Sequence, residues 1–113
     1  MIKSKIVLVP FPFDDLSAQK LRPTICLTNE ISEHHHVIVA FITSRIPEPL
    51  LKSDTIIRST EEHFSQSGLK VTSTIRLHRM MTISTGIIRR ELGELPRSLQ
   101  NSVYSKIKEL FDI

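Results

Sequence analysis

Val37-Ile38-Val39-Ala40-Phe41-Ile42-Thr43-Ser44-Arg45 is the stretch that decides the fold. Its unbroken apolar run is rich in β-branched side chains and reads as a buried strand. The run stops at two hydroxyls and an arginine, groups that a core does not accommodate. Working outward, the same pattern recurs upstream. Ile6-Val7-Leu8-Val9 ends in Pro10-Phe11-Pro12-Phe13, and Leu21-Arg22-Pro23 leads into another apolar run. Each stretch ends near rigid or polar residues, so an apolar barrel can deliver polar groups from different strands to one surface.

The remaining chain continues in short strands. Lys5–Pro10 reads as the first, stopped by prolines that cannot donate to a ladder. Asp14 to Lys20 is a polar, exposed loop, Thr24–Asn29 a second strand and Val37–Ile42 a third. Pro47 and Pro49 interrupt the chain after Arg45. Asp54–Arg58 reads as a fourth strand, and Thr60–Phe64 as a helical turn before Ser67-Gly68. Val71–His78 alternates: Val71, Ser73, Ile75 and Leu77 face one way, Thr72, Thr74, Arg76 and His78 the other. Arg79–Ser84 and Ile87–Leu92 are further short strands punctuated by Gly86 and Gly93. The period then switches. Leu95, Leu99, Val103, Ile107 and Leu110/Phe111 place an apolar stripe on one helix face, and Pro96 suits the first helical position. The expected fold is mainly β, a small antiparallel β-barrel with a C-terminal helix packed against it.

At 113 residues the chain is expected to form one domain, 1–113. Fifteen basic and 12 acidic residues give a net charge of +3, which permits a polyanionic partner without requiring one. The segment from Arg76 to Arg97 concentrates that charge, with five arginines and two glutamates. No apolar stretch approaches the ~20 residues of a membrane span. The run after Lys5 is too short for a secretory core. Cys26 is the sole cysteine and reads as a buried thiol in a reducing compartment, so a cytoplasmic location is expected.

Several chemistries lack their residues. There is no zinc pattern, no glycine-rich phosphate loop and no Gly-x-Ser-x-Gly elbow. His34-His35-His36 falls in an expected turn, where adjacent imidazoles cannot all face one ion, so neither metal nor cofactor is expected. What remains is a set of guanidinium and hydroxyl groups near strand ends. A guanidinium grips phosphate bidentately and stays charged throughout a reaction. Taken alone, Arg22 is equally a surface arginine, Thr43 an ordinary strand residue and His78 a solvent-facing side chain.

The order of the fragments resembles the MazF/PemK family of toxin ribonucleases. Ile6 to Leu16 resembles the family's opening strand and loop, Arg22-Pro23 its Arg-Pro signature, and Val37 to Arg45 its "VIVAxITS" strand. Ser73 to Leu77, Ile88 to Leu95 and the final helix complete a likeness over nearly the whole chain. The resemblance implies an SH3-like antiparallel barrel (the PemK/CcdB-like fold), usually dimeric. It also implies metal-independent cleavage of single-stranded RNA. The ribose 2′-OH attacks its neighbouring phosphate and leaves a 2′,3′-cyclic phosphate, which explains a preference for RNA over DNA. A small antitoxin protein is the implied partner, together with which such toxins bind DNA.

Carried over residue by residue, Arg22 matches the catalytic arginine and Thr43 the catalytic threonine. Arg76 matches a basic residue that some members use as a phosphate contact or proton donor, and Thr72 an RNA-contacting hydroxyl. His78 stands where members often carry an acid, and imidazole can exchange a proton near neutrality. Pro12, Phe13, Lys20 and Arg45 are expected to rim the RNA groove. The first-loop histidine of some relatives is absent, and the Gly-Asp that commonly precedes the first strand is Ser4-Lys5. Two rival readings share the fold: a non-catalytic member that binds a protein target, as topoisomerase poisons do, and a housekeeping barrel that holds a partner. Arg22 and Thr43 together favour catalysis, since a pure protein binder has no need of both.

Overall fold

The computed structural model describes residues 1–11 and 20–113. Six strands form one sheet: β1 (Lys5–Phe11), β2 (Lys20–Cys26), β3 (His36–Thr43), β4 (Asp54–Ile57), β5 (Ser73–Ser84) and β6 (Arg90–Glu94). Their order is β4-β5-β3-β2-β1-β6, every neighbouring pair is antiparallel, and β4 and β6 are the edges. The helix α1 (Arg97–Phe111) follows. The expected mainly β fold with a C-terminal helix is the one observed, as a curled, half-open barrel rather than a closed one.

Alternation along the strands gives the sheet two apolar faces. One buries Ile6, Ile25, Ala40, Ile42, Ile75 and Leu77 together with Leu95 and Val103 of the helical segment. The other buries Val7, Val9, Cys26, Val37, Val39 and Ile83. The central strands are therefore apolar on both sides, which is why β3 reads as a continuous run.

Several local readings change: the strand expected over Thr24–Asn29 runs from Lys20 to Cys26, and the one expected over Ile87–Leu92 runs from Arg90 to Glu94 after a 3-10 turn at Thr85–Ile87. The segments expected as two strands, Val71–His78 and Arg79–Ser84, are one strand with an interruption in its pairing. The expected turn at Thr60–Phe64 lies further on, as a 3-10 turn at Phe64–Ser67 closed by Gly68 at φ 71°. This turn lies against β6. A Cβ on Gly93 would come 2.1 Å from the Gln66 carbonyl oxygen, and one on Gly68 2.0 Å from that of Leu92. Only glycine fits either place. Pro96 caps α1 instead of opening it: its carbonyl accepts from the Leu99 and Gln100 N–H groups at 2.9 and 3.0 Å.

Ser4 takes the left-handed conformation at φ 74°. Its hydroxyl lies 2.6 Å from the Tyr104 hydroxyl and its N–H donates to Cys26 O at 2.7 Å, contacts that offset the conformational cost. The stripe on α1 runs past the sheet. Val103 is fully buried, whereas Leu110 and Phe111 are 40% and 56% exposed. Among the described residues no helix is long and apolar enough to cross a membrane.

Candidate active site

The face away from α1 changes character along β2 and β3. Cys26 pairs with Val39 and Thr24 with Phe41. Two positions further along their strands, on the same face, stand Arg22 and Thr43. Each series runs from full burial outward: Cys26, Thr24, Arg22 on β2, and Val39, Phe41, Thr43 on β3. The β2–β3 ladder stops at Thr24↔Phe41. The next residue of β2, Pro23, has no N–H with which to extend it. Beyond that point lies a groove of about 470 Å³ lined by Arg22 and Thr43 together.

Five cations line this groove, Lys20, Arg22, Arg45, Arg76 and Arg79, along with the hydroxyls of Thr43 and Ser44. Among the described residues no carboxylate lines it, so its field suits a polyanion. Thr43 Oγ1 accepts from the Arg45 N–H at 3.3 Å, which leaves the hydroxyl proton to donate elsewhere. The Arg79 guanidinium lies 4.9 Å from the centre of the Phe41 ring, a cation–π distance.

Arg76 pairs with Phe41 on one side and Asp54 on the other, so the three side chains form one row across β3, β5 and β4. Arg76 Nε lies 2.9 Å from Asp54 Oδ1, with the carboxylate side chain fully buried and the arginine 23% exposed. The N–H does not point along that line, so the contact is one of charge rather than a well-aligned hydrogen bond. The second oxygen, Oδ2, accepts from the Leu51 N–H at 2.8 Å.

His78 is not part of this groove. Strict alternation puts it on the face of Arg76, but the pairing of β3 with β5 jumps from Phe41↔Arg76 to Ala40↔Met80. The three intervening residues form a bulge, which breaks the period of two. Leu77 enters the helix-side core, and His78 lines a second cleft with Leu51, Lys52 and the Lys106, Glu109 and Leu110 side chains of α1. Arg79 takes the groove position instead. Thr74 keeps the Arg76 face, opposite Thr43, but is fully buried there, and Val71 precedes β5 and is 53% exposed rather than in the core.

Of the other expected residues, Lys20 and Arg45 line the groove. Thr72 does not: it accepts from the Ser59 N–H at 2.9 Å and donates to the Ser59 hydroxyl at 3.2 Å. Pro12 and Phe13 lie outside the described residues. Arg79 and Asp54 went unrecognised in the sequence. Arg79 sits three residues from Arg76, a spacing that alternation sends to the opposite face, and no glycine marks the bulge. Asp54 left one sign, a charge opening an otherwise apolar strand.

The histidine tract and the cysteine are accounted for elsewhere. His35 Nδ1 lies 3.0 Å from Glu30 Oε2, a hydrogen bond that holds the glutamate below its usual range. Among the described residues no three His, Cys, Asp or Glu side chains are grouped to hold a metal ion. Burial, reinforced by the charge of Glu91, pushes the Cys26 thiol up to about 11, so it stays protonated and unreactive at neutrality.

No curated protein sequence matches the chain significantly. Among solved structures, the toxin MazF-mt6 of Mycobacterium tuberculosis superposes with a TM-score of 0.71 at 23% identity, over 96% of this chain and 97% of that one. A mycobacterial endoribonuclease in complex with its cognate antitoxin gives a TM-score of 0.75 at 10% identity, over 100% and 96% of the two chains. At these identities the likeness is one of fold. The sequence profile of the PemK-like, MazF-like toxins of type II toxin–antitoxin systems matches residues 3–111, and the chain belongs to that family.

Proposed function

We propose that this toxin is an endoribonuclease that cuts single-stranded RNA in the groove between β2 and β3, without a metal ion. The observation that carries the reading is the convergence of Arg22, Thr43 and Arg76 on one cation-lined groove with no carboxylate among its described lining residues. In the reaction the 2′-oxygen gives its proton to solvent and bonds to phosphorus, the bond from phosphorus to the 5′-oxygen breaks, and that oxygen takes up a proton from solvent. Negative charge gathers on the phosphorane between those events. Arg22, as a fixed guanidinium, stabilises it; such groups are commonly the largest single contribution to catalysis. Thr43 orients the substrate through its hydroxyl, and Arg76 binds the phosphate and assists the departing oxygen. Lys20 and Arg45 hold flanking phosphates, and the aromatic surface of Phe41 with Arg79 suits a stacked base.

With His78 in another cleft, proton transfer by that imidazole drops out of the mechanism, and charge stabilisation bears more of the rate. The presence of both Arg22 and Thr43 in the groove favours catalysis over a purely protein-binding role. We read residues 1–113 as one functional domain, acting as a homodimer in the cytoplasm, where messenger RNA is found. Its inhibitor is a small antitoxin whose acidic side chains replace RNA phosphates in the groove, and the pair binds DNA.

The test uses an unstructured RNA oligomer in EDTA, with its cleavage site mapped, and the same oligomer carrying one 2′-deoxyribose at that site. Cleavage of the first to a cyclic phosphate end, with the second resistant, is the expected result. Cutting of the deoxy-substituted bond, or strict dependence on a divalent cation, would overturn the reading.

A further inference from the structure

The geometry points to Asp54 as a positioning residue for the reaction, holding Arg76 in its working orientation from the edge strand β4. The inference rests on the role of Arg76 proposed above. A carboxylate is among the side chains least often fully buried unless paired, and here one is fully buried on the outermost strand of a sheet. Replacing such a pair with apolar residues often costs no stability, so its burial calls for another explanation.

Three contacts fix Asp54. Its Oδ2 is held by the Leu51 N–H at 2.8 Å, which sets the plane of the carboxylate. Lys106 of α1 donates to the Asp54 carbonyl at 2.9 Å and to the Thr55 hydroxyl at 3.2 Å, anchoring this end of β4 to the helix. The register places Asp54 directly opposite Arg76. What remains is Oδ1, whose nearest cation is Arg76 Nε at 2.9 Å. The contact is made at the ε edge of the guanidinium, so the η nitrogens are the part of Arg76 that meets a substrate phosphate.

The imperfect geometry is itself informative. Asp54 Oδ1, Arg76 Nε and Thr74 Oγ1 are buried polar atoms without an aligned hydrogen-bond partner, and all three belong to the paired segment of β4 and β5 beside the groove. Unsatisfied buried groups concentrated at one place fit a site whose contacts tighten when substrate arrives. In that state Asp54 pulls on one edge of the guanidinium while phosphate pulls on the other.

A double-variant cycle tests the inference. Asp54→Asn keeps an acceptor for the Leu51 N–H and removes the charge. We expect it to lower kcat at least about tenfold with little change in KM, since a displacement of ~1 Å in a reacting constellation can cost ~100-fold. Added to Arg76→Ala, it should cause no further loss, because the residue through which it acts is gone. If the two losses multiply, or Asp54→Asn alone keeps full kcat while Arg76→Ala loses it, the positioning role falls and the nuclease reading stands. If Arg76→Ala itself retains full activity, both the role of Arg76 and this inference fall. A measurement on the unaltered protein guards against a variant that does not fold. With the uncleavable 2′-deoxy-substituted oligomer bound, the Arg76 Nε–H should appear in nitrogen-15 NMR as a distinct resonance that exchanges more slowly than in the free protein, and no slowing on binding would overturn the proposal.

Discussion

The two faces of the sheet are built from the same strands and do different work. On the helix side, Ile6, Ile25, Ile42 and Ile75 continue into Leu95 and Val103 with almost no polar interruption. On the other side an apolar cluster around Val9, Cys26 and Val39 gives way to Arg22, Thr43 and Arg76. Alternate residues along one strand thus supply apolar packing to one face and a cation-lined groove to the other. Damage to the two should separate cleanly: helix-side truncations should change stability more than catalytic rate, and groove truncations the reverse.

The largest effect belongs to the helix-side core. Ile6→Ala removes a fully buried side chain from the helix-side core, opposite Ile25, and should cost about 2–5 kcal/mol of unfolding free energy. Denaturant titration measures that loss, and kcat measured well below the lowered melting point should stay near the original value. A proportionate fall in kcat would show that the two faces are not separable. Thr43→Val sharpens the contrast from the groove side. It keeps the shape and removes the hydroxyl, and should lower kcat roughly 10- to 100-fold, matching ~1.5–3 kcal/mol for a hydrogen bond to a charged group. Its melting temperature should shift little.

Cys26 tests the apolar part of the groove face. Its thiol holds a proton up to about 11 in the folded chain, against an ordinary value of 9.0. The folded state therefore binds more protons within that window. This stabilisation is fully present below pH 9.0 and is lost as pH rises through about 11. The loss amounts to roughly 2–3 kcal/mol at most, by the usual conversion of pKa shift to free energy. Stability measured across the window should fall more steeply for the natural chain than for Cys26→Ala; parallel curves would show that the thiol is not shielded as described.

Much of this arrangement was legible in the residues. Apolar runs located the central strands and pointed to Arg22 and Thr43 at their ends, the alternation of Val71–His78 displayed Arg76, and the family resemblance gave the three their roles. These lie along regular parts of β2, β3 and β5, where a period of two holds. Legibility ended at irregularity. The bulge after Arg76 moves His78 to the helix side and brings Arg79 into the groove, and nothing in Leu77-His78-Arg79 signals an inserted turn of the chain. Asp54 is invisible for a different reason: its partner is set by the pairing of β4 with β5, a contact between residues more than twenty positions apart. Pro96 moved by one helical position because proline tolerates both the cap and the first turn.

The groove and the second cleft can be set against each other in one experiment: single-turnover cleavage of one RNA in EDTA by Arg22→Ala and His78→Ala side by side. Loss of a fixed charge-stabilising group at Arg22 should slow cleavage about 100- to 1,000-fold. Loss of the imidazole should leave the rate within about twofold and stability within ~0.5 kcal/mol, as for an exposed side chain away from such features. Equal rates for Arg22→Ala and the natural chain, or a greater loss from His78→Ala, would contradict the assignment of catalysis to the β2–β3 groove.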